Sequence, residues 1–217
     1  RDKLSGKMKY VWPHDSSPIK QRKEKEKFNK ALELRKNINK EKKHIRENLN
    51  HEDIKRRKTA TVCYLIDELK FRVGDEKDEE EEADTVGAST LRAEHIIFNG
   101  DGKVTFDFLG KDSVRHNITE ELDPLVTENL KEFVKENGDK TLFEEVNSSV
   151  VSEFLDEVME GITAKVFRTF YATQAVEKRL KELECTADAP EYFKKHLATI
   201  ANLEAAITCN HKRTIPK

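Results

Sequence analysis

Two arginines, a lysine and a histidine each stand in a short, distinctive segment of this sequence. They are Arg72 in Phe71-Arg72-Val73-Gly74-Asp75-Glu76-Lys77, Lys111 in Phe108-Leu109-Gly110-Lys111-Asp112-Ser113, Arg168 in Thr163-Ala164-Lys165-Val166-Phe167-Arg168-Thr169, and His211 in Cys209-Asn210-His211-Lys212-Arg213. These residue types suit one kind of chemistry. A phosphodiester in reaction passes through a crowded, negatively charged five-coordinate state, which fixed positive charge and hydrogen-bond donors stabilise. Two guanidiniums match the two non-bridging oxygens, because each offers paired, always-charged donors. A histidine adds a donor, and a lysine can serve as the acid at the leaving oxygen. This design needs no metal. The sequence shows no metal-spaced His or Cys and no cluster of Asp and Glu at strand ends. Taken singly, each residue also has an ordinary use. An arginine at a helix end is often a dipole partner, a lysine in a turn is often just solvated, and a lone histidine is often a cap or core residue.

The elements that must position these residues can be read from pattern. Ser16-Ser17-Pro18 is a helix start, and a long charged helix is expected from there to about Asn50. Its apolar residues Phe28, Leu32, Ile38 and Ile45 are sparse, so it is expected to be mostly solvated or to lie along a partner. A second helix begins near Glu52. Val62, Leu65, Ile66, Leu69 and Val73 form its buried stripe, with Arg72 at its C-terminal end and Gly74 closing it. The acidic run 75–84 reads as a loop. Three short strands follow, His95–Phe98, Lys103–Leu109 and Ser113–Ile118, with turns at Asn99-Gly100-Asp101-Gly102 and Gly110-Lys111-Asp112. Lys111 then stands at a hairpin tip. Further helices are expected at Glu121–Glu136, Ser148–Glu160, Ala164–Glu184 and Pro190–His211. The fold class is therefore α+β and mostly α-helical, with helices packed around a small three-stranded antiparallel sheet.

Composition bounds the rest. A chain of 217 residues can bury one good core. Its apolar fraction of 36% is low and its charged fraction of 38% is high, which suits long helices with solvated faces. The formal net charge of -2 argues against a uniformly basic nucleic-acid binder. The charge is segregated, however. Residues 20–48 are rich in Lys and Arg and residues 75–84 in Asp and Glu, so a basic surface is compatible with a near-neutral total. Cys63, Cys185 and Cys209 are far apart and read as reduced thiols, pointing to cytosol or nucleus. Lys55-Arg56-Arg57-Lys58 fits either a nuclear address or a charged helix start. No apolar run approaches the roughly 20 residues of a membrane helix. The first residues, Arg1-Asp2-Lys3-Leu4, include no initiator Met and read as a boundary inside a longer protein.

In order and in context, the four segments resemble the eukaryotic-type (type IB) DNA topoisomerases. The likeness runs from about Lys7 to Lys217. It includes Ala83-Asp84-Thr85-Val86-Gly87, Leu91-Arg92-Ala93-Glu94-His95 and Phe106-Asp107-Phe108-Leu109-Gly110. The resemblance implies that Arg72, Arg168 and His211 contact the scissile phosphate. It implies that Lys111 contacts a base edge and protonates the leaving 5′-oxygen. Thr85, Asp112, Ser113, Lys165 and Thr169 match positions that contact DNA. It further implies transient cleavage of one strand through a 3′-phosphotyrosyl link, no cofactor, duplex DNA as partner and a nuclear location. The family's tyrosine motif, Ser-Lys-x-Asn-Tyr, is absent from these residues. The tyrosine is then expected on a separate C-terminal segment or on a small subunit, as in split protozoan enzymes. Residues 1–17 would end a preceding clamp domain, 18–50 form a charged connecting helix, and 51–217 the catalytic core.

The likeness has departures. Asp75 stands where Asn is usual, and Phe170-Tyr171 replaces Tyr-Asn. Tyr171, three residues beyond Arg168, projects in much the same direction but lies outside the tyrosine motif. Competing readings are a tyrosine recombinase-like enzyme, a non-catalytic DNA-binding module that merely grips phosphate, and a helical interaction protein.

Overall fold

Ser17 opens the first helix by accepting the Lys20 amide on its hydroxyl, with Pro18 in the first turn where no N–H is needed. The computed structural model describes residues 13–74, 85–138 and 140–210. The expected strand in residues 7–12, the acidic run 75–84 and His211 all lie outside them.

The first helix, α1 (Pro18–Asn48), is exposed over most of its surface, as expected, but it also carries a buried seam. Ala31, Leu34, Glu41, Ile45 and Asn48 are buried and Ile38 is partly buried. These six recur at alternating steps of three and four, a continuous seam against α2 (Ile54–Leu69) and α5 (Ala164–Glu182). The apolar pattern missed the seam because two of its six positions are polar. Phe28 and Leu32, two of the sparse apolar residues, lie off the seam and are about half exposed.

Helix α2 is the centre of the molecule. Asp53 caps its start by accepting the Lys55 amide at 2.9 Å. Its residues from Lys58 to Asp67 are all buried, and it touches α1, α3 (Pro124–Asn137), α4 (Ser148–Asp156) and α5. The basic run at its start serves packing. Arg56 donates to both Glu157 carboxylate oxygens at 2.8 and 2.6 Å, Arg57 pairs with Glu132, and buried Lys58 lies over the Phe133 ring. Leu69 is the last helical residue, and Lys70 turns left-handed at φ 58°. Arg72 is therefore beyond the helix, and Gly74 does not close it.

The sheet agrees with expectation. Strands β1 (Ile96–Phe98), β2 (Val104–Gly110) and β3 (Val114–Glu120) pair antiparallel in that order, with Phe106 opposite Ile118 and Gly110 opposite Val114. Val104, Phe106 and Phe108 face the core, and Thr105, Asp107 and Leu109 face outward. Helices α5 and α6 (Glu191–Thr208) form an antiparallel pair. Helix α4 ends at Asp156, short of Glu160. There the Asp156 carboxylate accepts the amides of Gly161 and Ile162 and turns the chain.

One packing feature is costly. The Glu41 side chain is fully buried on the seam, and neither carboxyl oxygen has a partner among the described residues. Burial, and secondarily the charges of Asp156 and Asp67, push its carboxyl up to about 7 from an ordinary 4.5. Between those values the unfolded chain ionises while the folded chain stays neutral. Stability from this group is thus intact below about pH 4.5, falls as pH rises, and is lost through about pH 7. Replacing Glu41 with Leu should raise stability little at pH 5 and by roughly 2–3 kcal/mol at pH 8. Thermal unfolding at both pH values checks this, and a pH-independent difference between variant and parent would refute it.

Candidate active site

The segment 70–74 that carries Arg72 is held by the segment 85–90. The Ala88 amide donates to the Arg72 carbonyl at 2.8 Å, and the Ser89 amide to the Val73 carbonyl at 2.7 Å. The Ser89 hydroxyl reaches the Val73 and Gly74 carbonyls at 3.0 and 2.5 Å. Gly74 and Gly87 meet backbone to backbone. A Cβ on Gly87 would fall 2.5 Å from Gly74 Cα, so no side chain fits there. With its backbone held in this way, the Arg72 side chain is exposed.

The same segment is tied to the hairpin of Lys111. Phe71, buried beside Arg72, packs edge-on against Phe106 and Phe108, with ring centroids at 5.4 and 5.1 Å. His116 stacks flat on Phe108 at 5.0 Å. Its ring lies over Gly110, where an added Cβ would come within 2.6 Å of the imidazole. On the other side, the Val86 amide donates to the Leu109 carbonyl at 2.7 Å. The hairpin tip is a 3-10 turn over Lys111–Ser113, with Ser113 left-handed at φ 56°. Lys111 and Ser113 are exposed there, Asp112 lies in the same turn, and half-buried Thr85 precedes the Val86 link.

Arg168 comes from the second turn of α5. One guanidinium nitrogen donates to the Lys70 carbonyl, and the other donates to the Cys209 carbonyl at 3.0 Å. Burial first, and the charge of Arg72 second, hold this guanidinium below its ordinary range. Two like charges therefore gather at the end of α2. Half-buried Arg168 thus has carbonyl oxygens as partners for two of its guanidinium nitrogens. The Cys209 thiol lies 3.7 Å from the Arg168 carbonyl, and the Asn210 amide group reaches the Leu69 carbonyl at 3.5 Å. The residues immediately before His211 are thus docked on the end of α2 beside Arg168. Lys165 is exposed in the first turn of α5, and the Thr169 hydroxyl donates to its carbonyl at 3.0 Å.

Sequence reasoning missed two residues at this site, Lys70 and Asp67. Lys70 looks like one more helical surface residue. Its side chain instead folds back on the α2 carbonyls of Asp67 and Glu68. Asp67, on α2, is buried and accepts the Tyr171 hydroxyl. The only sequence signal was that Tyr171 follows Arg168 by three residues. Among the described residues, no group of three or more His, Cys, Asp or Glu is arranged to hold a metal, and no helix is long and apolar enough to cross a membrane.

A backbone-pinned arginine, a second arginine on a partly buried carbonyl seat, and an exposed lysine on a braced hairpin can grip a phosphodiester. Comparison with known proteins points the same way. The family described as eukaryotic DNA topoisomerase I, catalytic core, matches residues 16–217. Human DNA topoisomerase 1 is 39% identical over 223 residues, covering 100% of this chain and 29% of the relative. DNA topoisomerase 1 beta of Arabidopsis thaliana is 40% identical over 211 residues, covering 96% of this chain and 23% of the relative. DNA topoisomerase 1 of Candida albicans is 39% identical over 220 residues, covering 100% and 28%. The chain thus spans less than a third of the length of these relatives. With its motifs, its fold and nearly its full length in agreement, the chain belongs to the eukaryotic DNA topoisomerase I family, within the catalytic core.

Proposed function

We propose that this chain is the catalytic core of a type IB DNA topoisomerase, which relaxes supercoiled DNA in the nucleus by transient single-strand cleavage. The observation that carries this is the meeting of Arg72, Arg168 and the Cys209–Asn210 segment at one helix end. In this reading residues 1–17 end a clamp domain, 18–50 connect it, and 51–217 form the core.

A tyrosine from a separate segment or chain, giving up its phenolic proton to solvent, attacks the scissile phosphorus. Its oxygen forms the new 3′-phosphotyrosyl bond as the bond to the 5′-oxygen breaks. Arg72, Arg168 and His211 neutralise the non-bridging oxygens as charge builds on them. Lys111 gives its proton to the departing 5′-oxygen, and religation reverses each step. Thr85, Asp112, Ser113, Lys165 and Thr169 seat the DNA around the scissile bond. The Phe71–Phe108–His116 stack supports this reading, because it joins the segment bearing Arg72 to the hairpin bearing Lys111.

Mixing this chain with the clamp part and a tyrosine-bearing segment should give relaxation in EDTA, whereas the chain alone should give none. Relaxation by the purified chain alone would sink the proposal. In the assembled enzyme, Arg72→Ala or Arg168→Ala should each slow single-turnover cleavage by two to almost four orders of magnitude. That corresponds to roughly 3–5 kcal/mol for removing a charged hydrogen bond from the transition state. DNA affinity should change far less, since other phosphate contacts remain. Equal reductions in rate and affinity would make the arginines mere anchors.

Lys111 can be tested through its proton. Arginine offers charge at that position but not readily a proton, so Lys111→Arg should be badly impaired and Lys111→Ala more so. A substrate with sulfur in place of the bridging 5′-oxygen has a leaving group that needs no acid. It should restore cleavage by Lys111→Ala and leave Arg168→Ala defective. Rescue of both variants, or of neither, would remove the acid role from Lys111.

A further inference from the structure

Tyr171 is the side chain at this site that the mechanism leaves unused. Its hydroxyl donates to Asp67 Oδ1 at 2.5 Å, and Lys42 of α1 lies 3.2 Å from the other carboxylate oxygen. Asp67 is 2% exposed, so this carboxylate depends on those two partners. Burial first, and the Asp67 charge next, raise the Tyr171 phenol above its ordinary range, keeping it a protonated donor. The Tyr171 ring has a second neighbour. The Lys70 ammonium stands 3.5 Å from the ring centroid and also donates to the carbonyls of Asp67 and Glu68 at the end of α2. Lys70 is the residue whose left-handed turn ends α2, and its own carbonyl receives Arg168. Arg72 follows two residues later. Glu68, held by Lys42 at 3.0 Å, is a further charged group on this helix end.

We propose that Tyr171 is a positioning residue. Clamped to Asp67 through its hydroxyl and to Lys70 through its ring, it locks the end of α2 to α5 and thereby aims Arg168. The inference rests on the cleavage reading above. It assigns a role to a residue that departs from the Tyr-Asn expected of the family at positions 170 and 171.

The test uses the assembled enzyme with its tyrosine-bearing segment. Tyr171→Phe keeps the ring over Lys70 and removes the hydroxyl. Single-turnover cleavage should slow about tenfold while the DNA Kd stays within twofold. In an Arg168→Ala background the same change should add less than twofold, because the aim of an absent side chain no longer matters. Lys70→Gly keeps the left-handed backbone and the carbonyl but removes the ammonium. It should slow cleavage several-fold, be silent in the Arg168→Ala background, and serve if Tyr171→Phe folds poorly. An unchanged rate, a full effect in the Arg168→Ala background, or loss of the covalent adduct from a folded Tyr171→Phe enzyme would each overturn the proposal. The last outcome would make Tyr171 the nucleophile. The clamp also has a readout without activity. Arg168 guanidinium protons should exchange slowly in the parent chain and several-fold faster in Tyr171→Phe, as read by NMR. Equal exchange overturns the clamp, whereas a parent enzyme that forms no adduct overturns the cleavage reading alone.

Discussion

Where the Arg168 guanidinium reaches the Lys70 carbonyl, a helix end, a turn and a second helix are joined by one charged hydrogen bond. The end of α2 is an unusual place for such a seat. Its last carbonyls lack partners inside the helix and normally take water or a glycine-closed turn. Here the Lys70 ammonium takes two of them, the Asn210 amide takes a third, and Arg168 takes the carbonyl of the capping residue itself. Left-handed backbone at a non-glycine residue costs on the order of 1 kcal/mol. The ammonium over the Tyr171 ring offsets a similar amount. The polar groups of this helix end are thus turned into supports for the cations beside it.

A different force holds the hairpin in place. Phe71, Phe106, Phe108 and His116 form a run of edge-on and stacked rings between the end of α2 and the tip of β2. Aromatic pairs of this kind add about 0.5–1.5 kcal/mol each beyond simple burial, and their geometry fixes orientation as well as distance. Polar contacts therefore set the two arginines, while ring packing sets the lysine relative to them. Long side chains that must act together are presented by backbone with little freedom to drift.

Much of this architecture was readable from residue order. The alternation of Val104, Phe106 and Phe108 after an Asn-Gly-Asp-Gly turn specified the hairpin, because a half-buried strand leaves a period-two record. The Val62–Leu69 stripe specified α2 for the corresponding helical reason. Two features left no local record. The seam of α1 passes through Glu41 and Asn48, so burial there contradicts polarity and the helix read as solvated. The end of α2 at Leu69 is met by Tyr171, Arg168 and Asn210, roughly 100 to 140 residues away in sequence, and no pattern around Lys70 foretells those contacts. The candidate catalytic residues Arg72, Lys111 and Arg168 were visible through their flanking motifs. The contacts that seat Arg168 were not, since Asp67 and Lys70 look ordinary alone and Tyr171 stood out only for its spacing from Arg168.

The close approach of Gly74 and Gly87 has a consequence for how the sequence can vary. Both ends of the intervening stretch are anchored by backbone, with Ser89 and Ala88 holding one side and the β2 link at Val86 the other. A side chain at Gly87 would meet Gly74 Cα at 2.5 Å, and one at Gly74 would meet Gly87 Cα at 2.8 Å. The two glycines therefore cannot change without parting the backbones that seat Arg72, so a substitution at either is felt at a cation that neither glycine touches through a side chain.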